Sequence, residues 1–111
     1  MDIQVTELND IKVLAVKGRM DASSVADFDA NWKKLLEAGA AKIIVDFSGL
    51  EYISSAGLRG VLMLAKTAKV KKAAIIFSGM QSMVADMFRI SGFIAILQTA
   101  PDAASAAKKL G

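Results

Sequence analysis

Two short runs in this chain, Ile43–Val45 and Ala73–Phe77, are apolar at every position. A strand covered on one face alternates apolar with polar; a strand covered on both faces does not. Between the runs, Leu58, Val61, Leu62 and Ala65 recur at helical spacing. Buried strand, helix, buried strand is a crossover unit. It predicts an α/β domain whose sheet is sandwiched between helices.

The rest of the chain fits that frame. Ile3–Leu8 alternates and reads as a half-buried strand, Asn9-Asp10 as a turn, and Ile11–Lys17 as a second strand, giving an opening hairpin that Gly18-Arg19-Met20-Asp21 ends. Ser24 and Asp27 have capping-box spacing ahead of a helical stripe of Val25, Phe28, Trp32, Leu35 and Leu36, which Gly39 stops. Asp46 ends the Ile43–Val45 strand, and Ser48-Gly49 reads as a turn before the next helix. After Phe77, Ser78-Gly79 reads as a turn. Met80, Met83, Val84, Met87 and Phe88 form a further helical stripe, ended by Gly92. Phe93–Leu97 reads as a last strand. Thr99 is the expected cap of a final helix, with Pro101 in its first turn and a thin face of Ala103, Ala106, Ala107 and Leu110. The predicted order is β-β-α-β-α-β-α-β-α: one α/β domain over residues 1–111 with a mixed sheet.

Composition removes much chemistry. The chain has no cysteine and no histidine. Disulfides, thiol catalysis, a Ser-His-Asp triad and any His- or Cys-ligated zinc are therefore excluded. No tight carboxylate cluster offers Mg²⁺ a site, so no metal and no cofactor are expected. Net charge is +3 and the lysines are dispersed, apart from Lys66, Lys69, Lys71 and Lys72, which suit a helix C-terminus. Nucleic-acid binding would call for a denser basic face with interleaved aromatics, and none is expected. No apolar run reaches the ~18 residues of a membrane span, so no membrane insertion is expected. The start, Met1-Asp2-Ile3-Gln4, has no basic stretch leading into an apolar core, and the expected location is cytoplasmic.

The chemically suggestive residues are Ser54 and Ser55, adjacent hydroxyls where a loop becomes a helix. One physical use is capping, worth about 1 kcal/mol. The other is phosphorylation, because a helix N-terminus offers unpaired N–H groups and a partial positive charge. The two uses are compatible, one serine for each. Asp21 would close a turn or cap a helix, and Gly57 would serve loop geometry or close approach by another backbone.

The stretch Asp46-Phe47-Ser48-Gly49-Leu50-Glu51-Tyr52-Ile53-Ser54-Ser55-Ala56-Gly57-Leu58 resembles the signature of STAS domains, and most of all that of bacterial anti-sigma factor antagonists. The resemblance implies the fold order given above. It implies that Ser55, two residues before the glycine, is the phosphoacceptor. Several family members have Asp where this chain has Ser54. Asp21 matches a family aspartate near the phosphoserine loop. Asp21, Asp46, Ser54, Gly57 and Leu58 are the residues expected to meet the partner. The implied partners are an anti-sigma factor that is itself a serine kinase, which would bring its own ATP and Mg²⁺, and a serine phosphatase. The implied role is regulatory, not enzymatic. The same resemblance admits a second role, as an accessory subunit of a lipid-transport or stress-sensing assembly without phosphorylation. A different reading takes Asp46 as the phosphoacceptor carboxylate of a receiver domain. Against it stand the opening hairpin and the lack of paired acids on the first strand.

Overall fold

The computed structural model describes residues 1–111. Its strands are β1 (Asp2–Leu8), β2 (Ile11–Met20), β3 (Lys42–Ile53), β4 (Ala74–Ser78) and β5 (Thr99–Ala100). Its helices are α1 (Val25–Glu37), α2 (Ser55–Val70), α3 (Ser82–Ile90) and α4 (Ala103–Leu110), with a 3₁₀ turn at Phe93–Ile96. The five strands form one sheet in the order β1-β2-β3-β4-β5. β1 and β2 are an antiparallel hairpin; every other pairing is parallel. Parallel neighbours need crossovers, and α1, α2 and α3 supply them.

Ile43–Val45 is buried on both faces, as its lack of alternation predicts, and so are Ile76 and Phe77, whereas Ala74 near the start of the second run is exposed. Ile43, Val45 and Phe47 join Phe28, Trp32, Leu64, Val84 and Phe88 in the larger core, beneath the three crossover helices. Ile44 and Ile76 point the other way, into a smaller core with Ile11, Ala100 and Ala106 under α4. The thin alanine face of α4 suits this place, since small side chains let a short helix lie close on a sheet.

Four expectations are corrected. First, the β1 strand exists but is mostly exposed: Val5 is 43 % and Leu8 46 % accessible. It lies at the sheet edge, and only Ile3 reaches the core. Second, β3 does not stop at Asp46. It runs twelve residues to Ile53, with Ser48-Gly49 inside it, and β2 runs to Met20 beside it. Leu50 and Ile53 are fully buried, which holds this half of the strand extended. The turn-like residues serve irregularities in the ladder instead. The β2–β3 register slips between Ala15 and Lys17 and again between Gly18 and Arg19. Gly18 takes φ +97, and a Cβ on Gly49 would come 2.6 Å from the Lys17 side chain. Third, Phe93–Ile96 is a 3₁₀ turn, and the last strand is only Thr99–Ala100. A short apolar run does not by itself distinguish a strand from a packed turn. Fourth, two caps differ. Asp102, not Thr99, caps α4 by accepting from Ser105 N–H at 2.7 Å. Ser24 sits at the start of α1 but makes no side-chain cap bond to it.

Candidate functional site

β2 and β3 finish together at one end of the sheet, and α1 and α2 start there. Ser54 N–H donates to the Met20 carbonyl at 2.9 Å, joining the ends of the two strands. Ser54 then caps α2. Its backbone is extended, its hydroxyl oxygen accepts from Gly57 N–H at 3.3 Å, and its carbonyl accepts the first helical bond, from Leu58 N–H at 2.9 Å. Ser55 is the first helical residue. It is exposed, and its side chain makes no hydrogen bond within the chain. The two hydroxyls therefore divide: one is used by the fold and the other is presented to solvent. The first turn of α2 carries no acidic residue to compete for its N-terminal N–H groups.

Gly57 is buried. A Cβ there would lie 2.6 Å from Ile53 Cγ1, 3.0 Å from the Met20 carbonyl oxygen and 3.1 Å from Met20 Cγ. The close backbone approach that the glycine permits is to the end of β2, inside this chain. Leu58 is likewise in the core. Both residues shape the site from beneath.

Asp21 follows Met20 directly and so lies at the same end. Its Oδ1 accepts from Ser23 Oγ at 2.7 Å, Ser23 N–H at 3.0 Å and Ser24 N–H at 3.2 Å. These bonds, those from Ser23 foremost, hold its carboxyl below the usual aspartate range. Ser24 completes the turn: its hydroxyl accepts from Asp21 N–H at 3.0 Å and donates to the Arg19 carbonyl at 2.9 Å. Asp21 is thus fixed and charged near neutral pH. Asp46 is elsewhere. It sits mid-strand between Ala15 and Ser78, and its Oδ1 accepts from Ser48 N–H at 2.9 Å. β3 is bulged here, and Asp46 to Ile53 runs opposite only Ala15 to Met20 of β2, roughly 17 Å from the serines' end of the strand.

Two further residues belong to the site's rim. The Arg19 guanidinium stacks 4.2 Å over the Tyr52 ring, across the last turn of the β2–β3 ladder. Arg19 lies where the sequence reads as the end of the hairpin and Tyr52 between a turn and a helix, and only the register brings them together. No group of three His, Cys, Asp or Glu side chains could hold a metal ion. No helix is long and apolar enough to cross a membrane.

Comparison with known proteins fits this geometry. The family model described as "Mlab, STAS domain" matches residues 3–98. The Bordetella bronchiseptica protein BtrV, provisionally named an anti-sigma factor antagonist, is 28% identical over 111 residues, covering 98% of this chain and 96% of that one. The anti-sigma factor antagonist SpoIIAA in its unphosphorylated form superposes with TM-score 0.82 at 21% identity, over 98% of this chain and 96% of its own. The Bacillus SpoIIAA in its phosphorylated form gives TM-score 0.76 at 20% identity, over 99% and 100%. A chain of the stressosome, described as a signal integration and transduction hub, gives 0.75 at 20% identity, over 96% and 95%. At these identities the solved structures speak for the fold. The family match spans most of the sequence, and the chain belongs to the STAS domain family.

Proposed function

We propose that this chain is a cytoplasmic anti-sigma factor antagonist switched by phosphorylation on Ser55. In its unphosphorylated form it binds an anti-sigma factor serine kinase, and a sigma factor is released. The kinase, with its own ATP and Mg²⁺, phosphorylates Ser55 and ends the binding; a serine phosphatase restores it. The chain itself is a binding module, not an enzyme. The observation that carries this reading is the division between the serines. Ser54 is held by its capping bond, whereas Ser55 is exposed at the first position of α2 with a free hydroxyl. The name of BtrV points the same way.

The physics is local. A phosphate adds about −1.5 to −2 charge at pH 7. At a helix N-terminus the dipole favours it, so the domain stays folded. SpoIIAA has this fold in both its forms. In an interface the same charge is desolvated at the end of the sheet that also carries the fixed carboxylate of Asp21. An unpaired buried charge costs several kcal/mol, and about 3 kcal/mol already weakens binding more than a hundredfold. Phosphorylation therefore acts by repulsion at one surface, without refolding. Asp21, Ser54 and Ser55 lie at that surface, with Arg19 and Tyr52 at its rim. Gly57 and Leu58 hold its shape. Asp46 lies further along β3, away from the centre of this surface. Incubation with the kinase and ATP, followed by mapping of the phosphate by mass spectrometry, tests the assignment. Modification at Ser55 is expected, and a phosphate confined to residues other than Ser55 and Ser54 would overturn it.

The second reading keeps the surface and drops the phosphate: an accessory subunit of a stress-sensing or lipid-transport assembly. The likeness to a chain of the stressosome favours the stress-sensing form of it. A protein that binds its partner identically before and after exposure to the kinase would fit this second role.

A further inference from the structure

The charges of the domain are polarised along the strands. β3 and β4 start at the end opposite Ser55, and α1, α2 and α4 finish there. The connections into β3 and β4 are tied together by Ala74 N–H donating to the Ala41 carbonyl at 2.8 Å. Every lysine except Lys17 lies toward this end. Three acidic residues share it: Glu7, Asp10 and Glu37. Two of these are neutralised, Glu7 by Lys12 at 2.9 Å and Asp10 by Lys42 at 3.3 Å. Lys66, Lys69, Lys71 and Lys72 are exposed and make no ion pair. Most of the aspartates, Asp21 among them, lie in the half nearer Ser55.

The helix dipole accounts for one or two cations in a last turn. The dipole covers Lys34 in the last turn of α1 and Lys71 at the C-cap of α2 as well, but it does not account for Lys72, beyond that cap, or for Lys33. Nor does it account for Val70, which stands among the lysines with 81 % of its surface exposed. Beside this cluster an apolar groove of 370 Å³ opens between α2, the start of β4 and the segment after the 3₁₀ turn. Ala65, Ala68, Ile75 and Leu97 line it, Lys69 stands at its edge, and Ile96 is 61 % exposed beside it.

We infer that this basic end is a docking surface for an anionic lipid bilayer. The unpaired lysines meet the headgroup phosphates, and Val70 and Ile96 enter the interface beneath them. Flexible lysine stems around exposed aliphatic side chains suit a fluid charged surface, to which each lysine contributes about fivefold in affinity. A nucleic acid fits less well, because the aromatic beside these lysines, Trp32 under Lys33, is buried and offers bases no face to stack on. Docked this way, the domain presents its Ser55 end away from the membrane, free for a protein partner. The inference does not depend on Ser55 being phosphorylated.

Co-sedimentation with vesicles tests it. Vesicles of phosphatidylcholine alone are compared with vesicles containing about 30 mol% phosphatidylglycerol, at low and at high salt. The protein should sediment with the anionic vesicles only, and high salt should release it. The triple variant Lys69→Glu, Lys71→Glu, Lys72→Glu should lose more than a hundredfold in affinity while its circular dichroism is unchanged, since all three side chains are exposed. Val70→Ser should lose several-fold, and Lys17→Glu at the opposite end should bind as wild type. Equal sedimentation with both vesicle types, no sedimentation with either, or undiminished binding by the triple variant would each overturn the inference. So would preferential binding of duplex DNA or polyglutamate in competition with the anionic vesicles.

Discussion

Gly57→Ala should destabilise the domain, although alanine is the better helix former. The opposing terms can be weighed. Alanine gains up to about 1 kcal/mol over glycine within a helix, and less than that in its first turn. Against this, the new methyl would lie 2.6 Å from Ile53 Cγ1 and 3.0 Å from the Met20 carbonyl oxygen. Neither neighbour yields easily. Ile53 is fully buried at the end of β3, and the Met20 carbonyl is held by Ser54 N–H. Overpacking of this kind costs about 1–3 kcal/mol. The net loss should be about 1–2 kcal/mol, a fall in Tm of roughly 5–10 °C for a domain of this size. Gly60→Ala, three residues on, provides a comparison within the same helix. There the methyl would meet Val25 Cγ2 at 2.7 Å and Asp29 Oδ1 at 3.0 Å, both side-chain atoms on a partly exposed helix face. Asp29 Oδ1 also accepts from the buried Trp32 Nε1–H at 3.0 Å and Val25 is β-branched, so these atoms yield no more easily and its loss should be comparable. Urea and thermal unfolding of the two variants decide the matter. A Gly57→Ala protein as stable as wild type, or more stable, would refute the packing of α2 against the end of β2.

Ser54→Ala should cost roughly 0.5–1 kcal/mol of stability by chemical denaturation, since its capping bond is long, and Ser55→Ala should cost nothing measurable. Asp21→Asn should be less stable than wild type near neutral pH. The Asp21 pKa is lowered in the fold, so its contribution is present above the unfolded value and is lost as pH falls through the folded one. The difference between the two proteins in unfolding midpoint should therefore narrow from about pH 5 toward pH 3. Ser78 is fully buried and its hydroxyl has no partner. Ser78→Ala should be neutral or stabilising by up to about 1 kcal/mol in the same unfolding assay, whereas a large loss would mean that the hydroxyl is satisfied in solution.

The fold was legible where periodicity and burial agree. The non-alternating runs at Ile43–Val45 and Ala73–Phe77 announced a sheet covered on both faces, and the helical stripe containing Phe28 and Trp32 announced the helix that covers one of them. Legibility failed where local chemistry mimics a turn. Asp46, Ser48 and Gly49 have turn composition, yet they serve a bulged ladder that the buried Leu50 and Ile53 keep extended. Phe93–Leu97 has strand composition, yet it packs as a 3₁₀ turn after Gly92. At the site, sequence singled out Ser54, Ser55, Asp21 and Gly57. It did not tell which serine caps α2, because both fit the rule and only backbone geometry selects one. Asp46 stood close to the serines in sequence, but even a bulged strand carries it roughly 17 Å from their end of the sheet. Arg19 and Tyr52 were not found, since their pairing depends on a register that no local signal encodes.

The most direct test of the central claim is a pull-down from native cytoplasm with wild-type and Ser55→Asp baits, read by mass spectrometry. Wild type should recover an ATP-binding serine kinase of the anti-sigma kind, and Ser55→Asp should not. Recovery of the same transport or scaffold proteins by both baits would contradict the switch and leave Ser55 as no more than the first residue of a helix.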